Sequence, residues 1–393
     1  MKKILYFTRH FPCDDAPTQR IEAVSRLFEK SGYNVEIAIS QPYCKSDKLN
    51  DWNGRMLHLS KDLCFQENQK VKRNIERLSS INLNTFAETL IEKVKPDVVL
   101  LYGGGFKFAY KLLFLRKKYN FVLMADETDW FEPELSSNIV QYFITCSTNK
   151  RIKNLDKNFD AVIATSPFFR SYFSERATPA FFLPSVFPAT QVVNIEDQKW
   201  ANSPVIEFVY AGNLHAQEKK DMISPLLRAI DTLPSLYKNR IRVTIIGPSF
   251  NELAKVIDTR IIGSDFVRLV GPLPHQKVLE ELKTKHFGVL FRHNQLYAKA
   301  GFSTKFGECM LNGVPMICNS VGGADLLINN WVDGIVLPDA KDETIRSALC
   351  DICELSPSEL LEMRKAAIST ANSRFLLDNY YKPFSTFIHN IVR

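Results

Sequence analysis

Along most of the chain, apolar runs of strand length alternate with segments whose apolar residues recur at helical spacing. Residues 3–8, 33–39, 97–102, 120–125 and 161–165 read as strands. Between the first two, residues 19–31 place Ile21, Val24, Leu27 and Phe28 on one face, the pattern of a surface helix that ends near Gly32. Continuous apolar strands separated by helices predict a parallel sheet covered on both faces, with a ligand crevice at the carboxyl ends of its strands. The pattern lapses over the polar, proline-bearing stretch 184–204 and then restarts. Strands are predicted again at 206–210, 242–246, 267–270, 288–291, 315–318 and 334–336. Two doubly wound α/β domains facing a deep cleft are therefore expected, residues 1–190 and 191–373, followed by a helical, aromatic segment over 374–393.

Composition narrows the class without changing that picture. With 393 residues, 45% hydrophobic and 24% charged, the chain has ordinary globular make-up and room for two cores. Its apolar runs fall short of the roughly 20 residues that cross a bilayer, and MKKILYF leads straight into a strand, so neither a signal peptide nor a membrane helix is expected. The eight cysteines are unevenly spaced. Cys350 and Cys353 share a helix face with no second ligand pair nearby, which favours structural thiols over zinc and suits a cytoplasmic protein. A net charge of +7 favours an anionic partner. The loop after the first strand, RHFPCDDAPTQR, lacks the glycine pattern of a dinucleotide site, and no phosphate-binding GxxxxGK[ST] occurs anywhere.

The second half carries more chemistry. In YAGNL a strand ends at Gly212 and Asn213, and Lys219 and Lys220 precede a helix expected from Asp221, so backbone N–H groups and an ammonium could meet a phosphate. Two adjacent lysines fit a solvated helix start equally well. Arg292 ends a later strand, and Lys305 and Glu308 lie one turn apart at the start of a helix. Two cations there could hold a phosphate, or could form a surface salt bridge. Glu308 could accept two hydroxyl donors, or simply complement the helix dipole.

Residues 303–315, STKFGECMLNGVP, resemble the P-S-K-x-x-E-Y-M-A-x-G-x-P motif of the family 4 glycosyltransferases, with Thr304, Lys305, Glu308, Met310, Gly313 and Pro315 in its positions. Further similarities follow in order. VRLVGPLP at 267–274 resembles the segment that meets the nucleotide base. Gly322-Gly323 with Asp333-Gly334 resembles the family's glycine loop, and Asp126 with Asp129-Trp130 resembles the D-x-x-D-x-W-P of members that build bacterial surface polysaccharides. Arg20 with Gly32-Tyr33-Asn34-Val35 fits the opening R…G-H-x-V pattern. The resemblance implies the GT-B fold, with the last helix packing back on the first domain. It also implies a retaining transfer from a nucleotide-diphosphate sugar, UDP-linked by preference, to a saccharide or lipid-linked saccharide. Neither a metal nor another cofactor is expected.

By that resemblance Gly271, Pro272, Leu273, Ser303, Thr304 and Glu308 bind the nucleotide, as do Gly212, Asn213 and Lys219 around the phosphates. Arg292, Lys305 and Lys220 act on the leaving diphosphate. Arg9, His10, Asp126, Glu127 and Asp129 end strands of the first sheet and are expected to face the acceptor. In the family's front-face chemistry the leaving phosphate takes the acceptor proton, so Asp126 or Asp129 would position a hydroxyl and not act as a base. Two positions depart from the family. Ala300 stands where many members have a second glutamate, and Asn213 where they have an arginine.

Residues 106–120 interleave Lys107, Lys111, Arg116, Lys117 and Lys118 with aromatic and aliphatic side chains, and with KVKR at 70–73 they could dock on an anionic membrane face. The alternative is an ordinary core-packed helix with solvated cations. No nucleic-acid motif accompanies the charge. Besides the glycosyltransferase reading, two others fit the same fold: a nucleotide-sugar 2-epimerase, which needs no acceptor, and a non-catalytic nucleotide-sugar-binding protein, prompted by Ala300 and Asn213.

Overall fold

Alternating strands and helices build two separate parallel sheets in the computed structural model, which describes residues 1–9, 15–39, 51–63, 67–136, 138–189, 202–214 and 218–392. One unit comprises Met1–Val186 with Ala300–Phe302 and Leu377–Arg393, and the other Phe187–Lys299 with Ser303–Leu376.

Unit 1 is laid out on strands β1 (Lys2–Thr8), β2 (Tyr33–Ile39), β3 (Asp51–Trp52), β4 (Arg55–Leu59), β5 (Val98–Tyr102), β6 (Val122–Glu127), β7 (Ala161–Ala164) and β8 (Ala180–Phe182). Their order is β3-β4-β2-β1-β5-β6-β7-β8, and only β3 runs antiparallel to its neighbour. The order reverses between β1 and β5, so a crevice opens where those strands end. The helices are α1 (Ala16–Lys30), α2 (Lys70–Ser79), α3 (Ile81–Val94), α4 (Phe106–Tyr119), α5 (Ile139–Asn154) and α6 (Pro167–Ser174). Helix α1 starts where the side chain of Asp15 accepts the N–H of Thr18, and it buries the predicted stripe Ile21, Val24, Leu27 and Phe28. Full burial of each such side chain contributes about 1.5–3 kcal/mol.

The C-terminal helix (Tyr381–Ile391) is part of unit 1. Its Phe384 packs edge-on against Phe28 at 4.9 Å and Phe181 at 5.2 Å between ring centroids. The Lys2 ammonium donates to the carbonyl of Val392 at 3.0 Å.

Unit 2 holds β9 (Ile206–Ala211), β10 (Asp221–Met222), β11 (Ile241–Ile246), β12 (Val267–Gly271), β13 (Phe287–Arg292), β14 (Met316–Asn319) and β15 (Gly334–Leu337), in the order β12-β11-β9-β13-β14-β15. The two-residue β10 pairs antiparallel with the end of β13, setting Asp221 opposite Arg292. The switch in order falls between β9 and β13. Helices α7 (Ser224–Asp231), α8 (His275–Leu282), α9 (Thr304–Leu311), α10 (Asp342–Glu354) and α11 (Pro357–Phe375) cover this sheet. Phe208, Phe287, Phe291, Leu226 and Leu349 are fully buried in its core. Cys353 on α10 is buried too, and burial pushes its thiol up to about 11, so it stays protonated and inert at neutral pH.

Candidate functional site

Three of the predicted site residues of unit 2 meet at its switch point. Strand β13 delivers Arg292, whose main chain is clamped by Asn319: the Arg292 N–H donates to Asn319 Oδ1 at 2.9 Å, and Asn319 Nδ2 donates to the Arg292 carbonyl at 2.8 Å. Arg292 Nε donates to Asp221 Oδ1 at 2.7 Å, and Lys305 Nζ to Asp221 Oδ2 at 2.5 Å. Burial alone would raise the Asp221 carboxyl, but Lys305 and Arg292 hold it well below the usual carboxylate range. Lys305 also stands 5.4 Å over the ring of Tyr210. A Cβ on Gly212 would lie 2.7 Å from Lys305 Cε, so the glycine that closes β9 is what lets the ammonium reach the main chain there.

Sequence reasoning did not single out Asp221, because it expected a helix from that position. The helix begins three residues later, at Ser224. Its N-terminus is already occupied: Glu218 Oε1 accepts the N–H groups of Ile223 at 2.7 Å and Ser224 at 2.8 Å. The phosphate expected at this helix start is therefore replaced by an internal carboxylate. Lys219 and Lys220 lie in the turn before β10, half-buried, with their carbonyls accepting from the hydroxyl of Tyr297 at 2.7 and 3.3 Å.

Helix α9 carries the motif's other residues. Ser303 is buried just before it and Thr304 is its first residue. Gly307 faces the ring of Phe187, where a Cβ would fall 2.1 Å from Cε2. Glu308 sits on the fifth position of the helix, and its Oε1 lies 3.6 Å from Nε2 of His275. His275 opens α8 directly after Gly271-Pro272-Leu273-Pro274, and Gly271 takes the positive φ of +78° that this turn requires. The carboxylate expected on the ribose and the loop expected on the base are thus joined through a histidine that the sequence pattern did not indicate.

In unit 1 the expectation for Asp126 is corrected. Strand β6 runs two residues further than predicted, which puts Asp126 inside the sheet between Tyr102 and Ile163. Its Oδ1 accepts from Arg20 Nη2 at 2.8 Å and its Oδ2 from the Tyr6 hydroxyl at 2.6 Å. Arg20 spans onward to the carbonyl of Leu183 at 2.6 Å. Asp126 is a buried ion-pair partner, with no oxygen left over for an acceptor hydroxyl. Glu127 is likewise internal: it bonds Arg151, which also reaches Asp156 at 3.2 Å, and burial raises Glu127 well above the carboxylate range. Asp129, beyond the strand end, is half-exposed and accepts from the Thr128 hydroxyl at 3.1 Å. His10 lies outside the described residues. Ala300, the first departure from the family pattern, is fully buried, and its carbonyl accepts from the Ser166 hydroxyl at 2.6 Å.

The basic helix α4 is also more self-contained than its sequence suggests. Lys111 and Lys118 both pair with Glu88, at 2.7 and 2.9 Å, and Arg116 pairs with Asp160 at 3.1 Å. Exposed apolar side chains nonetheless stand on the same set of helices: Val71 and Ile75 on α2, Tyr110 and Phe114 on α4, Ile139 and Phe143 on α5. Among the described residues, no helix is long and apolar enough to cross a membrane.

Known proteins resemble both units. Residues 206–354, the core of unit 2, match the family model of Glycosyl transferases group 1. Among solved structures, sucrose-phosphate synthase from Thermosynechococcus elongatus superposes with a TM-score of 0.72 at 13% identity, covering 100% of this chain and 99% of that one. Anabaena HepE in complex with UDP and glucose gives 0.68 at 14% identity over 99% and 100%. The fold is GT-B. An uncharacterized glycosyltransferase of Methanocaldococcus jannaschii, MJ1069, is 23% identical over 260 residues, or 64% of this chain. The match spans 62% of that relative's own length.

Proposed function

We propose that the chain is a glycosyltransferase that moves a sugar from a nucleotide-diphosphate donor, UDP-linked by preference, onto a saccharide or lipid-linked saccharide, as in the assembly of bacterial surface polysaccharides. The observation that carries this reading is the convergence of Arg292 and Lys305 on Asp221 at the switch point of unit 2, one helical turn from Glu308. Two cations fixed before substrate arrives can take up the charge that develops on a departing diphosphate with little reorganisation. On this reading Glu308, 3.6 Å from the histidine that follows the Gly271–Pro274 turn, accepts ribose hydroxyls while that turn meets the base. The complex of HepE with UDP and glucose supports the choice of nucleotide by analogy of fold alone.

Transfer on this reading proceeds with retention. Of the strand-end carboxyls in unit 1, Asp126 is held in an internal ion pair and Glu127 in an internal bond to Arg151, which leaves Asp129 to orient an acceptor hydroxyl and the leaving phosphate to receive its proton. Arg292 and Lys305 take the part that a divalent ion would otherwise play, so turnover should survive a chelator. Lys219 and Lys220 remain candidates for the distal phosphate, with Gly212 and Asn213 lining its approach. The exposed apolar side chains of α2, α4 and α5, set among Lys70, Lys72 and Arg73, favour a peripheral seat on an anionic membrane surface. The experiment is to supply UDP-glucose and related donors with an acceptor panel and to determine the anomeric configuration of any product by NMR. Retained configuration is expected. Inverted product would make Asp129 the candidate base, and nucleotide release that needs no acceptor would favour an epimerase.

A further inference from the structure

Unit 1 has a cavity at its own switch point. It encloses about 90 Å³, and its walls include Arg9 beyond the end of β1, Gly103 and Gly104 beyond β5, the carboxylates Asp126, Glu127 and Asp129 at and beyond the end of β6, and Arg151 of α5. A buried water needs roughly 10–15 Å³ of such space, so the cavity has room for a group of several heavy atoms.

Its charges are unevenly satisfied. Asp126 is neutralised by Arg20, and Glu127 and Asp156 share Arg151. Arg9 is different: among the described residues its side chain has neither an ion pair nor a hydrogen bond. Burial, with the guanidiniums of Arg77 and Arg151 nearby, lowers its pKa to about 10. Arg151 is already offset by Glu127 and Asp156, whereas no carboxylate is bonded to Arg9 among the described residues, and an anion entering the cavity would supply its counter-charge. The opposite wall suits such a guest. Gly103 and Gly104 have φ of +75° and +94° and bring main chain without side chains to the cavity, and the Gly103 carbonyl is taken up by Arg151 on the same wall.

We infer that this cavity seats an anionic group, a phosphate or a carboxylate, carried by the acceptor, with the Arg9 guanidinium as its counter-ion. Only the word acceptor rests on the transferase reading, since the anion site can be tested with no donor present. Calorimetric titrations of the full chain with octyl glucoside, octyl glucuronide and octyl glucose 6-phosphate compare a neutral sugar with the two acidic chemistries. A charge-assisted hydrogen bond should favour an acidic glycoside over the neutral one by about ten- to a hundredfold. Tighter binding of the phosphate would identify a phosphorylated acceptor, and tighter binding of the glucuronide an acidic saccharide. Arg9→Gln should abolish the preference, and Arg9→Lys should restore part of it. The melting temperature of Arg9→Gln should match or exceed that of the wild type, because a repulsive charge is removed. Equal binding of all three glycosides, binding of none, or a preference that survives Arg9→Gln would overturn the inference. Acidic glycosides that bind as expected but are never glycosylated by any donor would instead leave the site standing and refute the transferase reading.

Discussion

Asp221 holds together two cations that would otherwise repel, and much of the behaviour of the unit 2 site follows from that one carboxylate. Its pKa lies well below the usual carboxylate range, so in acid the unfolded chain binds a proton that the folded chain does not. The stability it contributes is present above about pH 4 and is lost as pH falls toward the folded value. Asp221→Asn should cost about 3–5 kcal/mol at neutral pH, since the buried Arg292 and half-buried Lys305 are left without their partner. The gap between wild type and variant in urea melts should narrow as pH drops; a gap that stays constant would refute the assignment. Glu308 and Lys305 should separate by function. Glu308→Gln should weaken UDP and UDP-sugar binding alike by about 1.5–3 kcal/mol, whereas Lys305→Met should lower turnover more than donor affinity. Folded variants with normal donor binding and normal turnover would reduce the motif to a helix start. Lys305, Glu308 and Arg292 stood out as candidates because a local pattern marks them. Asp221 was not, because its significance comes from pairing with a strand some 70 residues later. The Arg20–Asp126 pair was hidden in the same way: both residues stood out, but nothing local reveals that they bond each other across 106 positions.

At the scale of elements, the alternation of apolar runs and amphipathic segments recovered the central strands of both sheets, since buried parallel strands leave a plain signature, but it missed β3, β4 and β8 towards the edges of the first. Boundaries were harder. Strand β6 extends to Glu127 because Asp126 finds Arg20, an ion pair that hydrophobic periodicity cannot register. Strand β10 is too short to show any period at all. Helix α9 offers a test of how packing positions chemistry. Gly307 lies against the ring of Phe187, so Gly307→Ala must push the helix or the ring aside. Overpacking of this kind costs about 1–3 kcal/mol, and because Lys305 and Glu308 ride on the same helix, affinity for UDP should fall together with the melting temperature. Adding Phe187→Leu should recover part of both. Recovery of stability without recovery of affinity would show that the helix does not set the position of those two side chains.

At the scale of the whole molecule, the net charge of +7 pointed to an anionic partner but did not place it. The structure discounts much of α4, whose Lys111 and Lys118 share Glu88. Exposed Val71 and Ile75 shift attention to α2, where Lys70, Lys72 and Arg73 are interspersed. If this face rests on acidic lipid, replacing those three cations with glutamine should weaken binding to phosphatidylserine vesicles by about 1 kcal/mol each, while Lys111→Gln with Lys118→Gln should change little. Equal sedimentation of the triple variant and wild type would count against it. The placement of the C-terminal helix has a separate consequence, for the order in which the protein can be made. Phe28 and Phe181 are covered by Phe384, which is translated only after all of unit 2. At about 5–20 residues per second, the aromatic face of the first sheet waits some tens of seconds for its cover. During that interval a nascent unit 1 presents a bare hydrophobic surface, and a trigger-factor-type chaperone should be found on ribosomes stalled before residue 377 and absent once residue 392 has cleared the exit tunnel.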